Sequence, residues 1–120
     1  MGVSKAAKVV STQNAEHYAW GDGCHGWFLL KDEAFNIIQE RMPPRTSEKK
    51  HVHSLSSQFF YVLRGELTID VEEERTVMQT GEGLEIEPGV IHQARNISRN
   101  DTEFIVFSCP PSHNDRTNLG

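Results

Sequence analysis

The chain has 120 residues, of which 37% are hydrophobic and 24% charged, and its formal net charge is −5. This length and composition predict one globular domain around a single core. The negative charge argues against nucleic acid as a partner, because no basic stripe is available to meet phosphates. No apolar run is long enough to span a bilayer, and the first residues lack the apolar segment of a signal peptide, so the sequence predicts a cytoplasmic protein without a membrane partner.

The first third of the chain predicts short strands separated by turn residues. Residues 1–7 are small and polar, and we expect them to be flexible. Stretches of apolar and β-prone residues predict strands at 8–11, 16–20, 25–30 and 35–42. Pro43 and Pro44 end the last of these, because proline cannot donate a hydrogen bond to a neighbouring strand. Cys24 and Cys109 are too few for a disulfide framework and are interpreted as free thiols.

The rest of the chain continues in the same way. Leu67, Ile69 and Val71 alternate with polar neighbours, which indicates a half-buried strand over 66–71. Further strands are predicted at 59–63, 76–78, 84–86, 91–97 and 103–109. Many short strands without a convincing helix indicate a sandwich or barrel. Residues 111–120 have no apolar periodicity, which favours a solvated tail.

The most informative stretch begins with two histidines. His51 and His53 are two residues apart, so both imidazoles point to the same face of an extended strand. The serines within residues 54–57 favour a bend that would bring Gln58 beside them. A fourth ligand would complete a metal site, and His92 is the obvious candidate.

Two spaced motifs resemble those of the cupin superfamily. The first has two histidines separated by one residue, then a polar residue after four more, then a glycine after a further six. These are His51, His53, Gln58 and Gly65. The second motif is carried by Gly81, Gly89, His92 and Asn96. Two motifs in the right order are far more specific than either alone. Gln58 departs from the family pattern, which usually has glutamate there, and Pro88 lies one place later than the usual proline.

The resemblance covers roughly residues 35 to 110 and implies an all-β fold, the double-stranded β-helix or jelly-roll barrel of cupins. One motif pair implies one such domain, which we assign to residues 8–110, with residues 111–120 as a C-terminal tail. The family also implies a homodimer. The segment 59–63 would alternate, so that Phe60 and Val62 point inward with Gln58 and the residues between them point outward.

Three imidazoles and one amide oxygen suit a divalent transition metal (Mn, Fe, Co, Ni, Cu or Zn) better than Ca or Mg. Four protein ligands on an octahedral ion leave two positions for water, substrate or dioxygen. Because Gln58 is neutral, the ion would be a stronger Lewis acid than it would be beside glutamate, which favours a lyase, cyclase or isomerase. An oxygenase is the other enzymatic interpretation. The non-enzymatic alternatives are a binding protein for a sugar or other metabolite and a metal-free structural cupin.

The remaining site candidates line the expected pocket. Phe60 and Val62 would form an apolar wall suited to a small-molecule ligand, although both could equally be core residues. Ala94 would share a face with His92 and leave room beside it. Gln39 or Glu40, on the preceding strand, is a weak candidate for proton transfer, and the sequence does not decide which of the two faces inward.

Overall fold

A computed structural model describes residues 6–120, and β-strands dominate it. The described residues form twelve strands: β1 (Glu16–Trp20), β2 (Cys24–Lys31), β3 (Asn36–Met42), β4 (Thr46–Ser47), β5 (His51–Val52), β6 (Ser57–Arg64), β7 (Glu66–Val71), β8 (Glu74–Gln79), β9 (Gly83–Ile86), β10 (His92–Asn96), β11 (Thr102–Cys109) and β12 (Thr117–Asn118). No helix occurs among residues 6–120, hence none of the length and apolarity needed to cross a membrane.

The strands form two sheets that face each other. The larger sheet has the order β1-β2-β3-β11-β6-β9, and its described neighbours are all antiparallel. The smaller sheet has the order β12-β5-β10-β7-β8, and β4 pairs with β10 at its side. A cluster of buried side chains lies between the two, with members such as Met42, Phe104 and Leu67 that are fully inaccessible to solvent. The jelly-roll fold class is therefore confirmed.

Strict alternation along β6 separates the core from the outer surface. Phe60 and Val62 are 4% and 0% exposed, whereas Phe59 and Tyr61 on the opposite face are 44% and 41% exposed. This matches the predicted direction of both sets of side chains. The second sheet does not cover the outward aromatic residues, so they remain available to a partner.

The turn between β6 and β7 depends on a glycine. Gly65 has a φ of +83°, which glycine adopts at no steric cost. A Cβ atom at this position would lie 2.6 Å from the backbone oxygen of Asp101, closer than real contacts allow. The predicted turn between these two strands is therefore possible only because residue 65 has no side chain.

The two ends of the chain depart from the predictions. Of the predicted flexible segment 1–7, residues 1–5 lie outside the described range. The strand predicted at 8–11 is wrong: this segment is exposed, with Val9 at 79%, and leads into a turn in which the side chain of Asn14 bonds the backbone of Ser11 and Val9. Val9 and Val10 suggested this strand, but no strand among residues 6–120 lies beside them.

The C-terminal tail, for which the sequence favours a solvated segment, contains a short strand. Residues Thr117 and Asn118 pair with Val52 and His51 as strand β12. The side chains that dock the tail are polar, so its contacts leave no apolar pattern for sequence analysis to detect. The free state predicted for Cys24 and Cys109 agrees with the structure.

Candidate metal centre and its cavity

Three histidines meet between the two sheets. His51 on β5 is the direct partner of His92 on β10 in the antiparallel register, and His53 follows β5 by one residue. Their ring centroids lie 4.3 Å apart for His51 and His92 and 4.8 Å apart for His51 and His53. One nitrogen from each ring can be chosen so that all three lie within 4.8 Å of one another. The strand pairing thus brings together side chains that are 41 residues apart in the sequence.

Backbone carbonyl groups fix the orientation of each ring. The Nδ1 atoms of His51, His53 and His92 lie 2.8, 2.8 and 2.9 Å from the backbone oxygens of Lys49, Asp115 and Val90. A carbonyl only accepts hydrogen bonds, so each Nδ1 carries the proton and donates it. The three Nε2 atoms are consequently left with lone pairs. This is the arrangement that metal-binding histidines use to fix their tautomer.

Burial keeps the three imidazoles neutral. It lowers the pKa of His51 to about 3, and it also lowers the pKa values of His53 and His92. Loss of hydration disfavours the charged imidazolium and is the largest cause in each case. At neutral pH the site therefore offers three uncharged nitrogen donors.

Gln58 adds an oxygen from the larger sheet. Its Nε2 donates to Ser108 Oγ at 3.0 Å, which turns Oε1 toward His92 Nε2 at 3.2 Å. With the histidine tautomer fixed as above, both of these atoms present lone pairs. Adjacent ligands about 2.1 Å from one ion would be separated by roughly 3.0 to 3.4 Å, and the distance between Gln58 Oε1 and His92 Nε2 falls in this range.

Three of the four donors, His51, His53 and Gln58, border a cavity of about 600 Å³. Phe60 lines it, as do apolar or aromatic side chains from four other strands, namely Trp20, Phe28, Ile38 and Val106. Val62 and Ala94, which were predicted as lining residues, are instead buried in the core cluster, at 0% and 2% exposure.

The structure separates the two proton-transfer candidates. Gln39 points to the outer face of the larger sheet, where its Nε2 lies 3.4 Å from Glu103 Oε1. Glu40 lines the cavity, and Tyr18 donates a hydrogen bond to its Oε2 at 2.7 Å. Burial raises the pKa of Glu40 to about 7, although the Tyr18 hydrogen bond and Arg116 act in the opposite direction. Only Glu40 is therefore in a position to meet a molecule in the cavity.

A second carboxyl group lies beside the histidines. Glu48 Oε2 is 3.7 Å from His51 Nδ1 and accepts a hydrogen bond from the backbone N–H of Ala94, and Arg116 Nη1 is 3.6 Å from its Oε1. Burial raises the pKa of Glu48 to about 8 despite the nearby guanidinium. No motif in the sequence indicates Glu48, because its place beside the site follows from the pairing of β4 with β10.

The C-terminal tail builds part of the site. The carboxylate of Asp115 accepts hydrogen bonds from the backbone N–H groups of Ser54, Leu55 and Ser56, at 3.1, 2.8 and 2.8 Å. Its backbone oxygen is the acceptor for His53 described above. One residue thus holds both His53 and the loop that joins it to Gln58. The tail was taken as solvated because these contacts are polar and span 60 residues, and no sequence pattern reports them.

The other histidines lie outside this centre. His17 on the edge strand β1 is exposed, and its Nε2 lies 2.8 Å from Nδ1 of His25 on β2. His113 borders the cavity with its ring edge-on to Phe28, at 5.8 Å between centroids. His113 is exposed, as a solvated tail predicts, although it also borders the cavity.

Comparisons with known proteins agree with this architecture. The family model described as "Cupin domain" matches residues 38–108. The polyketide synthase CurC of Streptomyces cyaneus is 28% identical over 69 residues, which are 58% of this chain and 45% of that protein. The chain therefore spans less than half the length of this curated relative.

Solved structures share the fold at low sequence identity. The polyketide cyclase RemF from Streptomyces resistomycificus superposes with a TM-score of 0.82 at 16% identity, covering 95% of this chain and 86% of that one. A predicted oxalate decarboxylase from Thermotoga maritima gives a TM-score of 0.76 at 21% identity, with 86% and 99% coverage. Because the family model spans more than half of the residues, with both histidine motifs inside it, this chain belongs to the cupin family.

Proposed function

We propose that this cupin is a metal-dependent enzyme that acts on a small metabolite with chelating oxygen atoms. The observation that carries the proposal is the convergence of three neutral imidazole nitrogens and the Gln58 oxygen, of which His51, His53 and Gln58 line a largely apolar cavity. His51, His53, His92 and Gln58 would hold one divalent transition metal. The bound ion would supply Lewis-acid polarisation of a substrate oxygen.

The chain's own residues favour rearrangement chemistry over oxidation. All four donors are uncharged, so none of them offsets the charge of the ion, and a higher net charge favours Lewis-acid catalysis. Phe28 and Phe60 offer aromatic surfaces to a planar substrate, and Glu40 offers a carboxyl group with a pKa near neutrality. A cyclase, lyase or isomerase that acts on an oxygen-rich, partly aromatic compound would use the uncharged donors, the aromatic surfaces and the carboxyl group together. The names of two relatives, a polyketide cyclase and a polyketide synthase, suggest a polyketide as the compound class.

A non-catalytic binding protein is the rival function. The apolar walls of the cavity would serve such a protein equally well. The presence of a carboxyl group whose pKa lies near neutrality favours the enzyme, because a binding site gains nothing from it. A homodimer, which the family resemblance implies, would use the outer face of the larger sheet, where Phe59 and Tyr61 are exposed.

Metal content of protein purified without an affinity tag tests the proposal. We expect about one equivalent of a transition metal per chain by mass spectrometry, in the wild type and in a His17→Gln, His25→Gln double variant. That double variant removes the exposed histidine pair on β1 and β2, which could bind metal adventitiously. Absence of metal from the wild type, even after incubation with excess Mn, Fe, Co, Ni, Cu or Zn, would rule out the metalloenzyme.

Replacement of Asp115 with alanine should weaken metal binding without removing any donor atom. The carboxylate that bonds the three backbone N–H groups of the loop would be lost, so His53 and Gln58 would be held less firmly. Loss of such outer contacts typically costs about 10- to 100-fold in metal affinity. Competition with a chelator measures the change, and Asp101→Ala, at an exposed aspartate away from the centre, is the control. Equal affinities in the two variants would contradict the role given to Asp115.

A further inference from the structure

Three neighbouring strands carry one row of residues across the inner face of the larger sheet. Tyr18 on β1 pairs with Gly26 on β2, and Gly26 pairs with Glu40 on β3. Tyr18 reaches across the glycine to the carboxyl group two strands away. A Cβ atom at residue 26 would lie 2.1 Å from Tyr18 Cζ, so no other residue type leaves room for this ring.

The contact between Tyr18 and Glu40 lies in the cavity wall and apart from the metal donors. The phenol donates to Oε2 of the carboxyl group at 2.7 Å, and Phe28 packs against the Tyr18 ring at 5.3 Å between centroids. Both members of the pair border the same cavity as His51 and Gln58. A molecule that fills this cavity therefore meets the histidine centre on one side and the carboxyl group on the other.

We propose that Glu40 is the catalytic base for a carbon acid, meaning a compound with a C–H bond next to a carbonyl group, and that Tyr18 is its positioning residue. The proposal rests on the proposed function in one respect, since it takes the cavity to be the substrate site. The two histidine motifs do not indicate either role, because Tyr18 and Glu40 both lie outside them.

The step balances without an oxidant or reductant. Glu40 Oε1, the oxygen that Tyr18 does not hold, takes the proton from the substrate carbon. The electron pair of the broken C–H bond forms a C=C bond, and the carbonyl π pair moves to oxygen to give an enolate. Return of the proton from Glu40 to a different atom of the substrate completes an isomerisation and restores the carboxylate.

The surroundings of Glu40 suit a base that works near neutral pH. Desolvation raises its pKa to about 7, so that both protonation states are populated there. The titratable or charged groups that act on it are Tyr18 from β1, Cys24 from β2, and Glu48 and Arg116 from the far side of the cavity. Burial and Glu40 together raise the pKa of Tyr18 far above its usual value, so the phenol stays protonated and remains a donor.

Hydrogen–deuterium exchange tests the inference on the full chain as purified. Pyruvate and 2-tetralone serve as probes, and loss of their α-proton signals in D₂O is followed by NMR. We expect the wild type to accelerate exchange of at least one probe, and Glu40→Gln to lower the rate by about 10²- to 10⁴-fold, the range for a general base. Glu40→Asp, which keeps a shorter carboxylate, should retain part of the rate, whereas Glu85→Gln, at an exposed glutamate, should retain all of it.

The role of Tyr18 is read from the pH profile. Its hydrogen bond lowers the pKa of Glu40, so Tyr18→Phe should move the midpoint of the exchange rate to higher pH, and Gly26→Ala should do the same by displacing the ring. Tyr61→Phe, on the outer face, should leave the midpoint unchanged. A purely structural role for Tyr18 would change the amount of folded protein and leave the midpoint in place.

Two outcomes would overturn the inference. One is a wild type that exchanges neither probe faster than buffer, and the other is a Glu40→Gln variant that exchanges as fast as the wild type. Metal analysis of the same samples keeps this test separate from that of the proposed function. Exchange that persists in protein shown to be metal-free would leave the base in place and refute the metal requirement, whereas metal retained in an inactive Glu40→Gln variant would support both.

Discussion

Replacement of His92 with alanine is expected to lower the affinity for a divalent transition metal by more than about 100-fold, which is the upper end of the losses seen when only an outer contact is removed. His92 contacts donors on both sheets: its ring centroid lies 4.3 Å from that of His51, and its Nε2 lies 3.2 Å from Gln58 Oε1. Removing it takes one nitrogen from the centre and leaves the Gln58 oxygen without a neighbouring donor. Chelator competition measures the affinity, and the visible spectrum of the Co(II) protein reports the change in ligand number.

The control for this variant is His25→Ala. His25 is an imidazole outside the centre, so its loss should change neither the affinity nor the cobalt spectrum. If His92→Ala bound the metal as tightly as His25→Ala, the ion would have to lie elsewhere, and the assignment of the centre would fail.

Replacement of Phe104 with alanine should cost about 3–5 kcal/mol in the free energy of unfolding, as is typical of a large aromatic side chain removed from a core. Phe104 is 0% exposed on β11, at the middle of the larger sheet, and its ring lies 6.0 Å from that of Phe60. A loss of this size is a large share of the total stability of about 5–15 kcal/mol that a domain usually has. Urea unfolding followed by circular dichroism measures it.

Phe107 offers a matched comparison on the same strand. It faces outward, is 37% exposed and stacks on Phe35 at the surface. Phe107→Ala removes the same side chain from a site where water can replace it, so a much smaller loss is expected. Equal losses for the two variants would mean that the core does not lie where the alternation of β11 puts it.

The fold was predictable because its signals are local. The alternation over 66–71 and the turn at Gly65 can both be recognised from neighbouring residues in the sequence. The two histidine motifs add a resemblance that favours the jelly roll over other β-sandwiches and barrels. Alternation also predicted that Phe60 points inward, because it lies two residues after Gln58 and therefore on the same face of the strand. Alternation does not tell whether an inward side chain reaches the cavity: Val62, for which the core was an equal alternative, and Ala94 both lie in the core.

Residues that act across strands were not predictable. The choice between Gln39 and Glu40 depends on the register of β3, which adjoining residues do not reveal. The contact between Tyr18 and Glu40 needs two strand pairings and a glycine between them. Asp115 reaches the site from the tail through hydrogen bonds alone, so hydrophobic periodicity, the strongest signal in a single sequence, does not report its position.

The donors of the centre come from both sheets, with His51 and His92 on the smaller one and Gln58 on the larger. An ion held between them would act as a cross-link through the interior of the sandwich, because the sheets could not separate there without breaking a coordination bond. Binding that occurs only in the closed sandwich stabilises it in proportion to the logarithm of the free ion concentration. Supply of the metal in the cell would then govern how long this chain survives as well as whether it is active.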